Sequence, residues 1–211
     1  MTDGVQEGSR RSEGRGPEED LAMIRRLMSE SRETAGAGGP FYVLWGGVVL
    51  AGLVLTYLSV RTGLSVPPLF VWIGAIGAGW VGSFVLGRRM SERAPVQTPG
   101  GRVMMGIWVG GGVTGTLLGF AVPAAGLVSS AGETLGPIAM VLGSCYFASS
   151  FVTRSSAMRW MAAGWWAGGT AMLWWNGIES LLIMGVLVLV LQLLPGIRLL
   201  RSEDAGAAAT A

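Results

Sequence analysis

The chain has no histidine, no lysine and a single cysteine, Cys145. Without imidazole there is no bis-histidine haem, no imidazole-bearing zinc site and no serine–histidine hydrolase. Without lysine there is no Schiff base and no lysine-bearing phosphate loop. Charge is scarce too: 13% of the 211 residues are charged, where soluble domains carry about a quarter. No aspartate pair lies inside an apolar block and no aspartate-rich cluster is available for a metal-bound diphosphate. The reading from these absences is a protein with no catalytic residue, no cofactor and no metal. Cys145 falls in the middle of an apolar block without a disulfide partner and reads as a small buried residue.

What remains is apolar and glycine-rich: 51% hydrophobic residues and 35 glycines. Uncharged stretches run from Phe41 to Val60, Leu64 to Gly87, Val103 to Val122, Thr134 to Thr153, Trp160 to Asn176 and Ser180 to Leu194, and the last becomes long enough to span if Gly177 and Ile178, on the far side of Glu179, join it at the interface. A hydrocarbon core of about 30 Å needs roughly 20 residues at a helical rise of about 1.5 Å each. The expected fold is therefore an all-α integral membrane protein, a bundle of six transmembrane helices. Spans are expected at about 41–60, 64–87, 103–122, 134–153, 160–176 and 178–194, with a disordered tail at 201–211.

The arginines alternate with these blocks. Arg10, Arg11, Arg15, Arg25, Arg26 and Arg32, then Arg88, Arg89, Arg93 and Arg102, then Arg154 and Arg159, then Arg198 and Arg201 fall on one side of a six-span layout, and Arg61 alone on the other. The positive-inside rule makes the crowded side cytoplasmic and places both termini there. The pI near 9.2 then reflects arginines facing anionic headgroups, not a nucleic-acid surface. Residues 1–38 hold no apolar stretch followed by a small-residue cleavage site, so Phe41–Val60 is expected to be an uncleaved first anchor.

Small residues four apart let membrane helices approach closely. Gly74, Ala78 and Gly82 in the second block, Gly111, Gly115 and Gly119 in the third, and Gly164 and Gly168 in the fifth have that spacing. These predict that spans two, three and five form the tight centre and that span six is more lipid-facing. The strings beginning at Trp45, Trp108 and Trp160 share small residues at the second and seventh offsets (Gly47, Gly110, Ala162; Gly52, Gly115, Ala167), a pattern compatible with three repeated helical hairpins. Glu133 and Glu179 fall at the outer ends of spans four and six, where a carboxylate caps a helix N-terminus. The hydroxyls of Thr56, Thr114, Thr116, Ser144, Ser149 and Ser150 are expected to bond to carbonyls one turn back. Of the tryptophans, Trp160, Trp174 and Trp175 suit interfacial belts, while Trp165 and Trp166 lie deeper and are candidates for contact with a lipid or apolar ligand.

Ahead of the first span, residues 17–35 read as an amphipathic cytoplasmic helix. Pro17 and the acidic Glu18, Glu19 and Asp20 suit its first turn. Leu21, Met23, Ile24, Leu27 and Met28 share one face of about 160° at 100° per residue. A disordered tail at 1–16 is expected before it and a Gly-rich hinge at 36–40 after it. The apolar face suits either the membrane surface or a cytosolic protein partner.

The segment "DLAMIRRLMSESRET", with its Asp-Leu-x-x-Ile-Arg-x-Leu-Met-x-x-Ser pattern, followed by a Trp/Gly-rich span, resembles a group of small bacterial inner-membrane proteins with six predicted spans and no established activity. The likeness covers about 25 residues and carries no catalytic residue with it; arginine used to the exclusion of lysine also suits a GC-rich bacterial genome. The reading is a non-enzymatic inner-membrane protein that recruits or regulates a cytosolic partner; the alternative is a permease or channel for a small neutral or apolar solute.

Overall fold

A computed structural model describes residues 38–63, 67–93 and 98–208. The amphipathic face of Leu21, Met23, Ile24, Leu27 and Met28 lies outside the described residues. Among them the chain is helical: α1 Gly39–Thr62, α2 Pro68–Arg93, α3 Pro99–Ala124, α4 Ala131–Thr153, α5 Ser156–Trp174, α6 Glu179–Val188, a π-helical segment Leu189–Leu193, and α7 Leu194–Ala208. Five helical stretches are long and apolar enough to cross a membrane: Gly39–Thr62, Pro68–Glu92, Pro99–Ala124, Ala131–Thr153 and Glu179–Ser202. α5 is not among these five; its apolar residues are mostly tryptophan, glycine, alanine and methionine instead of long aliphatic side chains.

Local chemistry sets the helix ends. Pro68 and Pro99 occupy first-turn positions, where a missing N–H costs nothing, so α2 starts four residues later than the apolar block and α3 four residues earlier. α2 then runs through Arg88 and Arg89 to Arg93, because arginine is a good helix former and the end of the apolar block is no barrier to it. Ser130 caps α4 by accepting from the Glu133 N–H at 3.3 Å, and the Glu133 carboxylate accepts in turn from the Ser129 N–H at 2.6 Å. This reciprocal arrangement resembles a capping box. α1 ends on Gly63 in the left-handed region (φ 66°). The expected hinge at 36–40 is helical from Gly39 onward, and the expected tail at 201–211 is helical through Ala208.

The helices run alternately up and down. A Cβ at Gly82 would touch Leu44, one at Gly79 would touch Trp45, and one at Gly52 would touch Trp72, which sets the end of α2 beside the start of α1. Gly100 faces Val152, so α3 starts where α4 ends. Arg88, Arg89, Arg102, Arg154, Arg159, Arg198 and Arg201 therefore gather at one end of the bundle. Arg61, Glu133 and Glu179 lie at the other.

The centre of the bundle differs from the one the glycine spacing suggests. α3 contributes no buried residue, and the exposed faces of α2 and α3 carry Ile73, Val81, Phe84, Val103 and Leu117. α4 and α5 form the most extensive contact, and α6 is central, burying Ser180, Leu181, Met184 and Val188. The seam is a small-residue stripe on α4. A Cβ at Gly136 would lie 2.9 Å from the Gly169 carbonyl oxygen, and a Cβ at Gly169 the same distance from the Gly136 oxygen. At Gly132 the Met172 carbonyl, and at Gly143 the Trp166 ring, leave no room for a side chain.

The glycines singled out by spacing play unequal parts. Gly164 and Gly168 of α5 receive Leu191 and Leu187, Gly82 receives Leu44, and Gly111 receives Cys145, whereas Gly115 and Gly119 meet Ile138 only at 3.9 and 3.7 Å. Nothing approaches Gly74, and Ala78 is exposed. Small residues four apart make a groove, but the spacing does not say whether a neighbour fills it. The repeated tryptophans also differ. Trp45 donates to Ser83 Oγ at 2.9 Å, Trp108 is packed among aromatic rings, and Trp160 is 79% exposed, so the three repeat positions are not structurally equivalent.

Candidate functional site at the arginine-rich end

The polar concavity of the bundle follows from one proline. Pro195 has no N–H to offer the Leu191 carbonyl, and its ring would clash with it. The helix relieves this by widening to the π form over Leu189–Leu193, so that the Leu194 N–H reaches the Leu189 carbonyl. The register shift buries Gln192, and it turns Pro195, Arg198, Leu199 and Ser202, at helical spacing, toward one side. α1 crosses α7 with its backbone close by: a Cβ on Gly196 would sit 2.8 Å from Tyr42 Cβ, and one on Gly39 3.2 Å from Leu199 Cβ.

The opposite wall is the tight turn from α4 to α5. Arg154 closes α4 in the left-handed conformation (φ 54°), a strained choice for a residue with a Cβ. Ser155 precedes α5 without a side-chain cap bond, leaving the first N–H groups of a 19-residue helix open. Between these walls lies a cavity of about 490 Å³ bounded by Tyr42, Thr153, Ser155, Ala157, Met158, Met161 and the α7 face. Its base is buried, with Thr153 Oγ1 donating to the Ser149 carbonyl at 3.0 Å and lying 3.3 Å from Met158 Sδ. Its rim, Ala157, Arg198 and Ser202, is exposed.

Behind Tyr42 an aromatic cluster ties four helices together. The Tyr42 and Tyr146 rings are 5.7 Å apart, Trp108 meets both edge-on at 5.3 and 5.1 Å, and Trp165 stacks on Tyr146 at 6.3 Å. Tyr146, Trp165 and Ser149 are fully buried, and among the described residues Tyr146 Oη, Trp165 Nε1 and Ser149 Oγ have no hydrogen-bond partner; the same holds for Thr56 Oγ1. The other hydroxyls bond backward as their positions suggest: Thr114 to Gly110, Thr116 to Gly112, Ser144 to Met140 and Ser150 to Phe147.

No protein family, curated protein or solved structure matches this chain. The site is therefore argued from its own residues.

Trp165 and Trp166 have separate fates. Trp165 is enclosed by protein on all sides, so no lipid reaches it, while Trp166 is 37% exposed. Trp166 sets its ring into the notch at Gly143, 5.4 Å from Phe147, and its indole N–H donates to the Met140 carbonyl at 3.2 Å. Trp160, Trp174 and Trp175 are all largely exposed. Cys145 lies against Gly111 with Sγ 3.7 Å from the Ile107 carbonyl. It borders a shallow groove of about 440 Å³ between α3 and α4, whose hydroxyls, Thr114 and Ser144, are already turned back to their own helices.

Sequence alone carries no site expectation for the cavity residues Tyr42 and Pro195, and Arg198 enters it only as one of the arginines on the crowded side. The one available signal was Pro195 inside "LQLLPGIRLL", an apolar run that continues past its proline and so implies a distorted helix instead of a terminated one. Chemically the cavity offers a guanidinium, several hydroxyls and a thioether-lined apolar wall. A guanidinium beside hydroxyl donors is a donor set suited to an anion.

Proposed function

We propose that this protein is a non-enzymatic, six-span component of the bacterial inner membrane, with both termini in the cytoplasm, that recruits or regulates a cytosolic protein through residues 17–35. The observation that carries the proposal is a coincidence of place. Residues 17–35 join the bundle at Gly38, within one turn of Tyr42, at the same end as the polar cavity and the clustered arginines. The positive-inside rule makes that end cytoplasmic.

Support for α5 as the sixth span comes from its length, about 28 Å at 1.5 Å per residue, and from its belts. Trp160 and Trp174, both exposed, are about 21 Å apart on the same rise. The transport alternative draws no support from the Gly136–Gly169 contact, which closes the bundle between α4 and α5.

Ile24→Glu combined with Met28→Glu puts two charges among the apolar residues of 17–35. The expected result is loss of a cytosolic protein that crosslinks to and co-purifies with the wild-type chain, with unchanged membrane insertion. Equal recovery of that protein with the double variant contradicts the proposal.

A further inference from the structure

We infer that the cavity between Tyr42, the α4–α5 turn and α7 seats the phosphate headgroup of an anionic phospholipid, with the Arg198 guanidinium as its charged partner. A volume of about 490 Å³ falls within the range of about 300–1,000 Å³ usual for small-molecule sites, and it suits a headgroup with its glycerol, not a whole two-chain lipid. Guanidinium and phosphate match as a planar fork to a tetrahedral anion. Ser155 and Ser202 add hydroxyl donors at the same rim. The open N–H groups at the start of α5 add the positive end of a helix dipole.

The surroundings favour a lipid over a free anion and an anionic lipid over a zwitterionic one. Met158, Met161 and Leu199 supply an apolar wall that a free phosphate does not need. Trp160, exposed one helical turn beyond Ala157, marks headgroup depth. Arg154 and Arg159 flank the turn, and no carboxylate is among the described residues lining the cavity. Assigning the lipid to the inner leaflet rests on the orientation proposed above; the binding itself does not.

The test is native mass spectrometry of the full chain in mild detergent, titrated with phosphatidylglycerol or with phosphatidylcholine of the same acyl chains. One phosphatidylglycerol is expected to remain per chain, with phosphatidylcholine retained at least about tenfold less well. Arg198→Gln is expected to weaken retention roughly tenfold, the loss of one charge-assisted pair. Ala157→Trp fills the mouth from an exposed position and abolishes retention, whereas Arg201→Gln, at the same end but outside the cavity, leaves it unchanged. Equal retention of the two lipids overturns the inference, as does indifference to both cavity substitutions. Displacement by inorganic phosphate would mark a free-anion site, and retention only after removal of residues 1–37 would assign the cavity to that segment; either result also overturns it. Retention in detergent is independent of orientation and of any protein partner, so this inference and the proposed function fail separately.

Discussion

Gly136→Leu is expected to destabilise the bundle by about 3 kcal/mol or more, and Gly74→Ala to leave it unchanged or slightly more stable. At Gly136 a new Cβ would meet the Gly169 carbonyl oxygen at 2.9 Å and the Leu173 side chain at 3.0 Å. The Gly169 oxygen is helix backbone and cannot swing away. α4 and α5 would have to part along their whole seam, losing the contacts at Gly132 and Gly143 as well. Because membrane helices associate mainly through close packing, little else compensates. At Gly74 nothing lies within 4 Å of a new Cβ, and alanine carries a helix preference of up to about 1 kcal/mol over glycine. Thermal unfolding in detergent reads both, with a drop of roughly 10 °C expected for Gly136→Leu. Equal melting temperatures for the two variants would remove α4–α5 from the centre of the bundle.

The second large effect is a contrast within the aromatic cluster. Trp165→Ala removes the largest fully buried side chain and is expected to cost about 3–5 kcal/mol through the cavity it leaves. Tyr146→Phe, one ring away and as deeply buried, is expected to be neutral or stabilising by about 1 kcal/mol. The reason is that Tyr146 Oη has no partner among the described residues, and an unpaired buried hydroxyl costs about 1–3 kcal/mol. The same unfolding measurement separates them. A loss above about 1 kcal/mol in Tyr146→Phe would show that the hydroxyl is bonded in the working protein.

These two predictions rest on different degrees of legibility. The five membrane-length helices follow from the apolar blocks, since block length against bilayer thickness is a strong constraint. The helix ends were harder, because Pro68 and Pro99 fix starts by backbone chemistry, not by hydropathy. The α4 seam could have been read: Gly132-Glu-Thr-Leu-Gly136 and Ala139-Met-Val-Leu-Gly143 both have small residues four apart. Taking Thr134 as the start of the span put Gly132 outside it and hid the stripe. The converse holds on α3, where the stripe of Gly111, Gly115 and Gly119 meets Cys145 closely and otherwise only Val141 and Ile138, at 3.7 to 4.0 Å. Spacing along one helix describes a surface, and the partner is a property of the whole bundle.

The cavity was less legible still, since it is assembled from residues more than 150 positions apart, Tyr42 and Arg198. Only Pro195 left a local mark. The tryptophans divide cleanly along the same line. The exposure of Trp160, Trp174 and Trp175 follows from their place near the helix ends, while the enclosure of Trp165 depends on Tyr146 from another helix.

The central claim is a six-span bundle with its arginine-rich end in the cytoplasm, and its most exposed point is α5. With Cys145 replaced by alanine, single cysteines are placed at Ser156, the exposed first residue of this helix, and at Asn176, exposed just beyond its end, and intact cells are treated with a membrane-impermeant maleimide. The account predicts that the cysteine at 176 is labelled from outside and that the one at 156 reacts only after the membrane is opened. Labelling of both from the same side would contradict it.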